Sequence, residues 1–169
     1  MTRKVGAADS DRAPLDASLP PPNAAGARAA VRLSDQYFLR CVRLISELAD
    51  GELLTAIVFR AIVAGNIGYL DQDPAAAAKY SEIGTVPPDD LRRPLSVLAL
   101  AGSLGLPYET TRRHVQKLVE AGNCRMEKRG VVAPASALEG PQQEEAMLAN
   151  LVNLRRLYRG LLAAGVRLD

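Results

Sequence analysis

The chain has 169 residues, enough for one sizeable core but too few for two large independent domains. Apolar residues make up 48% of it and aromatic residues only 4%, with no tryptophan, a balance that favours helices over a β-sandwich. The net charge of +2 is unevenly distributed. Residues 34–91 carry nine acidic and four basic side chains, whereas residues 92–129 carry three acidic and eight basic ones. A short basic block is typical of a segment that contacts a polyanion.

Several functional classes lack support in this sequence. Because we find no apolar stretch of signal-peptide or membrane-spanning length, we predict a cytoplasmic protein with no membrane partner, nucleoid-associated when it binds DNA. Cys41 and Cys124 lie far apart and His114 is the single histidine, so we expect no metal site, disulfide or other cofactor. No nucleophile elbow, phosphate loop or paired catalytic carboxylates are recognisable, and we expect no enzyme.

The first 33 residues are rich in Ala, Pro, Gly, Asp and Arg and show no apolar periodicity. We predict a disordered arm at 1–33, followed by a single domain at 34–169. Two alternatives stay open for the arm: it is inert, or it touches DNA through Arg28 and Arg32.

Two helices are predicted at the start of this domain. Apolar residues at three- and four-residue spacing indicate a helix over 34–49, with Ser34 as its N-cap. A second, mostly buried helix is predicted over 52–64, ended by Gly65-Asn66. Residues 67–93 are rich in Gly and Pro and are predicted to be a connector, with a helical turn or two over 75–80.

A long helix is predicted over 141–164, after the Gly140-Pro141 pair. Its apolar face is wider than one helix needs, so it either packs on the domain's own core or pairs with a second subunit. We favour a homodimer through helices 34–49 and 141–164, because few other elements are left to cover both. The face follows a 4-3-4-3 spacing through Met147, Leu151, Leu154, Tyr158 and Leu161.

The basic block contains two short helices joined by a tight turn. Ser96 is predicted to cap a helix over 97–104, which Gly105 ends by adopting positive φ. Pro107 then begins a helix over 108–121, stopped by Gly122.

This second helix has an apolar face and an open, polar face, as an element inserted into a major groove needs. Thr111, Val115, Leu118 and Val119 are predicted to be buried, and His114 at their edge is expected to be a packed histidine, not a sensor. The remaining side chains are predicted to face DNA: Tyr108, Glu109, Thr110, Arg112, Arg113, Gln116 and Lys117.

Residues 123–134 switch to a period of two around a Lys-Arg-Gly turn, which predicts a β-hairpin. Cys124 and Met126 are predicted to face the core. Arg125, Lys128 and Arg129 are predicted to stay outside, where they contact phosphates or the adjoining minor groove.

From Ser96 to Val132 the chain resembles the winged helix-turn-helix of GntR-type and IclR-type bacterial regulators, over about a quarter of its length. The resemblance implies DNA-facing positions for Tyr108, Thr110 and Arg112. Thr111 stands where the family has an aliphatic core residue and Pro107 where it has a serine cap, which weakens the phosphate contact of that cap. The flanking helices are similar to those of compact MarR-like proteins, which dimerise through terminal helices. The matching positions are Ser96, Leu100-Ala101, Leu104-Gly105-Leu106, Thr110-Thr111-Arg112, Leu118 and Gly122.

The sequence therefore predicts a mainly α protein, in which a winged helix-turn-helix (three-helix core plus β-hairpin wing, 92–135) carries additional N- and C-terminal helices. We interpret it as a sequence-specific transcription regulator that binds double-stranded DNA as a homodimer, with helix 108–121 in the major groove and wing 123–134 on the backbone. The operator is then a pseudo-palindrome. The alternative is a winged-helix protein-protein docking module that does not bind DNA.

Arg92 and Arg93 either contact the duplex backbone or pair with Asp89-Asp90. The sequence does not decide between these two roles, and it does not identify an effector.

Overall fold

The structure, a computed structural model, describes residues 26–49 and 51–166. These residues form six α-helices and one two-stranded antiparallel sheet, which confirms the mainly α class. Short 3-10 helices occupy Gly68–Gln72, Asp89–Leu91 and Ala135–Leu138. The helices are α1 (Ala27–Leu48), α2 (Leu53–Ile67), α3 (Pro74–Lys79), α4 (Val97–Leu104), α5 (Tyr108–Glu120) and α6 (Pro141–Ala163), and the strands are β1 (Arg125–Glu127) and β2 (Gly130–Val132).

Helix α1 begins well before the predicted start. It runs from Ala27, so the predicted arm at 1–33 is wrong for its last seven residues, and Ser34 lies inside the helix instead of capping it. The alanines and arginines of this stretch are strong helix formers even without an apolar period, and Gly26 enters the helix with φ 88°. Residues 1–25 lie outside the described residues, so the arm remains a prediction there.

The core lies between α2, α4, α5 and the hairpin. Val58 and Ile62 of α2 are fully buried and pack with Leu100 of α4 and with Val115 and Leu118 of α5. The prediction that this helix is mostly buried is wrong: of the 15 residues of α2 only Val58, Ile62 and Asn66 are buried, and most of the others are half-buried. The hairpin closes the cluster with Cys124, Val131 and Ala133.

Asn66 ties the core together at the end of α2. The predicted stop at Gly65-Asn66 is wrong, because α2 continues to Ile67 and Asn66 is 0% exposed. Its amide nitrogen donates to the carbonyls of Arg93 (2.8 Å) and Val131 (3.1 Å), and its amide oxygen accepts from the N–H of Ala133 (2.9 Å). One side chain thus satisfies three backbone groups of two other segments.

The helical run Leu53–Gln72 corrects our prediction that no segment has membrane-spanning character. It is 20 residues long with a mean hydropathy of 1.7, sufficient by length and composition to cross a membrane. This is weak support for a span, because the core helix of a soluble protein has the same properties. Within the 18-residue apolar window of this run 28% is buried, including Val58, Ile62 and Asn66 in the core.

The turn between α4 and α5 follows the sequence prediction closely. The Ser96 hydroxyl accepts from the N–H of Ala99 (3.1 Å) and caps α4. Gly105 ends α4 in the left-handed region at φ 63°, and the N–H of Leu106 then donates to Ala101 (3.0 Å). These contacts confirm the predicted helix bounds of 97–104 and the helix start at Tyr108.

The hairpin is shorter than the predicted 123–134, with Arg125 opposite Val132 in β1 and β2. Val131 also exchanges two backbone hydrogen bonds with Leu95, at 2.9 and 3.1 Å, which attaches the hairpin to the segment before α4. Glycine is needed at Gly130 (φ 144°), because a Cβ there would overlap the Leu95 carbonyl.

Only one of the two hairpin residues predicted to face the core does so. Cys124 is buried, as predicted, but Met126 is 55% exposed. The core ends at Cys124 and β2, so Met126, two residues nearer the tip, lies beyond the side chains that would cover it.

Helices α1 and α6 pack antiparallel to each other. Leu33 lies on Gly160, and Tyr37 and Cys41 both contact the side-chain oxygen of Asn150 at 3.4 Å. Within the described part of the chain, α1 contributes no buried residue and α6 contributes only Ala146. The pair therefore carries a long uncovered apolar surface, which includes Val31, Phe38, Leu39, Met147, Leu148, Leu151, Val152, Leu154, Tyr158 and Leu162.

Candidate nucleic-acid interface

Helix α5 is anchored by one face and open on the other. Thr111, Val115 and Leu118 are buried as predicted, and the Thr111 hydroxyl donates to the Pro107 carbonyl (3.2 Å). This bond explains how a threonine fits a core position. Val119 is only half-buried. The exposed predicted residues are Tyr108, Glu109, Arg112, Arg113, Gln116 and Lys117, whereas Thr110 is half-buried.

Three predicted DNA-contacting cations are held in ion pairs within the protein. Arg112 Nε lies 2.9 Å from Glu109, Lys117 Nζ 2.9 Å from Glu52, and Arg125 Nη1 2.6 Å from Asp89. Exposed pairs of this kind contribute little to stability, and a phosphate can replace the carboxylate. They nevertheless lower the positive charge that this surface offers before any ligand binds.

The carboxylates in two of these pairs are themselves stabilised in their charged form. The pKa of Asp89 is lowered by the N–H of Ala135 and by the guanidinium of Arg125. The pKa of Glu52 is lowered by hydrogen bonds from Lys117 and Thr55. Arg125 is also bonded to Glu127 (3.0 Å) within its own strand. Its bond to Asp89 links the hairpin to the segment before α4.

Three other predicted cations remain available. In the part of the chain that the structure describes, no carboxylate lies within ion-pairing distance of Arg113, Lys128 or Arg129. Arg113 lies on the outward face of α5, and Lys128 and Arg129 form the exposed hairpin tip. These side chains are the ones that meet a polyanion without first breaking an internal pair.

Arg92 and Arg93, which belong to the basic block in sequence, each contact another part of the protein. Arg92 is buried, donates to the Pro87 carbonyl (2.9 Å) and lies 3.5 Å from Asp89, which favours the pairing alternative. The guanidinium of the exposed Arg93 stacks on the Tyr69 ring at 3.4 Å instead of pairing with Asp89 or Asp90, and its contact with the duplex backbone stays a prediction. The net charge of +5 of residues 92–129 therefore overstates the charge of the interface.

His114 connects α5 to α2. It is 8% exposed, and its Nδ1 lies 2.9 Å from the hydroxyl of Thr55, which in turn donates to Glu52 (2.8 Å). Because the Thr55 proton is used for Glu52, the proton of neutral His114 lies on Nδ1. Burial lowers the pKa of His114, and the positive charges of Lys117 and Arg113 lower it further.

This lowered pKa predicts a pH-dependent stability. Between pH 7.5 and 5.5 the unfolded chain binds a proton at His114 more readily than the folded chain, so the free energy of unfolding falls as the pH falls. His114→Gln is expected to remove this slope. Urea unfolding at pH 7.5, 6.5 and 5.5 measures it, and His114 is the single histidine of the chain. An equal slope in the variant would contradict the assignment.

The described residues contain no group of three or more His, Cys, Asp or Glu side chains placed to hold a metal ion. Comparisons with family models, curated proteins and solved structures find no match for the chain. The arguments for function therefore rest on the geometry of α5 and the hairpin.

Proposed function

We propose that the protein is a sequence-specific transcription regulator that binds double-stranded DNA as a homodimer. In this proposal α2, α4 and α5 are the three helices of a winged helix-turn-helix, and the hairpin is its wing. The observation that carries the proposal is the pairing of an α5 anchored by its buried face with an adjoining hairpin whose exposed tip is basic. Winged-helix proteins present these two elements to DNA.

Helix α5 suits a major groove. It has 13 residues, about 20 Å of helix, and ends at Glu120, two residues before the left-handed Gly122. Arg113 and Gln116 lie on its outward face, where they supply donors to base edges or phosphates. Arg112 and Lys117 flank this face and exchange Glu109 and Glu52 for phosphates on binding.

The hairpin suits a contact with the DNA backbone. Lys128 and Arg129 are exposed at its tip and reach phosphates or the adjoining minor groove. The tip has a fixed position, because Val131 is bonded to Leu95 and Arg125 to Asp89. A rigid wing places its charges without a large loss of conformational entropy on binding.

The surface of α1 and α6 supports a homodimer. Phe38 is 62% exposed and Tyr158 58% exposed, and further apolar side chains surround them on both helices. Monomeric proteins rarely expose large apolar patches, and these two helices together expose ten large apolar side chains. Two such helix pairs packed against each other form a four-helix bundle, which buries both surfaces and relates the two α5 helices by a two-fold axis.

Replacing Arg113 with alanine tests the placement of α5. We expect the variant to bind a selected DNA sequence about 10- to 100-fold more weakly, because a side chain facing the groove contributes about 1–3 kcal/mol. Arg43→Ala is the matched control, since Arg43 is exposed on α1 and pairs with Glu47. Fluorescence anisotropy with labelled duplexes at several salt concentrations gives both affinities.

Unchanged affinity in Arg113→Ala would contradict this placement of α5. Absence of any salt-sensitive binding by the wild-type chain would favour the alternative of a protein-docking module, because counterion release makes DNA binding weaken steeply with salt.

A further inference from the structure

Arg60 is the one charged residue of helix α2, whose other side chains are mostly apolar. It is half-buried, and burial lowers its pKa because no opposite charge compensates the lost hydration. Among the described residues no carboxylate lies within ion-pairing distance of its guanidinium. A partly desolvated cation without a partner favours an anion that can reach it, because charge-assisted hydrogen bonds are stronger than neutral ones.

Arg60 borders open space between the helices. Arg60 lines three cavities, of about 320, 390 and 300 Å³, between α2 and its neighbours. The 390 Å³ cavity has the size of a small-molecule site. It lies between α2, α3, residues 80–87 and α6, and its apolar lining includes Val63, Ile67, Leu70, Ile83, Val86 and Met147.

We propose that this cavity binds a small amphipathic carboxylate, with the carboxylate on Arg60 and the hydrocarbon part among the apolar side chains. Gln143 and Tyr80 also line the cavity and supply further hydrogen-bond donors. A carboxylate matches the two parallel N–H groups of a guanidinium, which favours it over a neutral head group.

Two acidic residues, Asp71 and Glu82, also line the cavity, and both are exposed. Their charges repel an anion from their own part of the cavity and favour its placement at the Arg60 end. The ligand therefore enters with its carboxylate toward α2 and α6. This inference does not depend on DNA binding, because the cavity lies within one protomer.

Calorimetric titration of the full chain without DNA tests the proposal, with decanoate as the probe and decanol as its neutral counterpart. We expect decanoate to bind at least 10-fold more tightly than decanol. Arg60→Gln is expected to remove this preference, whereas Arg60→Lys keeps most of it. Arg43→Gln, which removes an exposed paired cation, is expected to change neither affinity.

A second pair of variants separates the cavity from the exposed apolar surface. Ala77 of α3 lines the cavity, so Ala77→Phe fills it and is expected to abolish decanoate binding, whereas Ala78→Phe on the exposed side leaves binding intact. Equal binding of decanoate and decanol, or decanoate binding unaffected by both Arg60→Gln and Ala77→Phe, would overturn the proposal. Absence of decanoate binding by the folded wild type would overturn it as well.

Discussion

Replacing Asn66 with alanine is expected to lower the free energy of unfolding by about 3 to 5 kcal/mol. The Asn66 side chain is fully buried and makes three hydrogen bonds with the backbones of Arg93, Val131 and Ala133. Its removal leaves these groups without that partner in a region that water does not reach, and loss of each bond is unfavourable by about 1 kcal/mol or more. Urea unfolding followed by circular dichroism measures the change.

The nearly isosteric variant Asn66→Asp separates hydrogen bonding from packing. It keeps an acceptor for the Ala133 N–H but places an acidic group against two carbonyls, so we expect a loss similar to that of alanine. Asn123→Ala is the control, because Asn123 is exposed and its change is expected to stay within about 0.5 kcal/mol. Wild-type stability in Asn66→Asp would show that these bonds do not hold the hairpin to α2.

The double variant Leu151→Glu/Tyr158→Glu is expected to raise the dimer dissociation constant at least about 1000-fold, or about 4 kcal/mol. Both side chains are about half exposed on α6, so each protomer tolerates the change, while the dimer has four charged groups in its apolar interface. Sedimentation equilibrium of wild type and variant measures the constants. Far-ultraviolet circular dichroism verifies that the helices remain.

The matched control for the dimer is Gln36→Glu/Gln142→Glu. It adds the same negative charge at exposed polar positions of α1 and α6, and we expect only a small change in dimerisation. A wild-type chain that stays monomeric at tens of micromolar would contradict the dimer. In that case the apolar surface of α1 and α6 would need another occupant.

The segment from Ser96 to Gly122 was predictable because its signals are local. A serine that caps α4, a left-handed glycine that ends it and the spacing of Thr111, Val115 and Leu118 depend on neighbouring residues alone. The predicted helix bounds were wrong where residues have a high helix propensity but no apolar periodicity. Ala27 is the example, because α1 begins there in an alanine-rich stretch.

Contacts between distant residues were not predictable. Glu52 pairs with Lys117 across 65 positions and Asp89 with Arg125 across 36, and nothing near these residues in sequence indicates the pairing. Asn66 was interpreted as a helix stop because asparagine favours helix ends, and its buried role depends on where the hairpin packs. The sequence carries one signal for Arg60, because it is the single charged residue in a mostly apolar helix. The spacing of apolar residues, from which the helix was predicted, does not indicate its surroundings.

Selection from a randomised double-stranded DNA library by the wild-type chain tests whether the protein binds DNA sequence-specifically as a homodimer. We expect enrichment of an inverted repeat whose half-sites lie about one helical turn apart, with binding that weakens steeply as salt rises. Enrichment of no sequence over the starting library, at low as well as physiological salt, would contradict it.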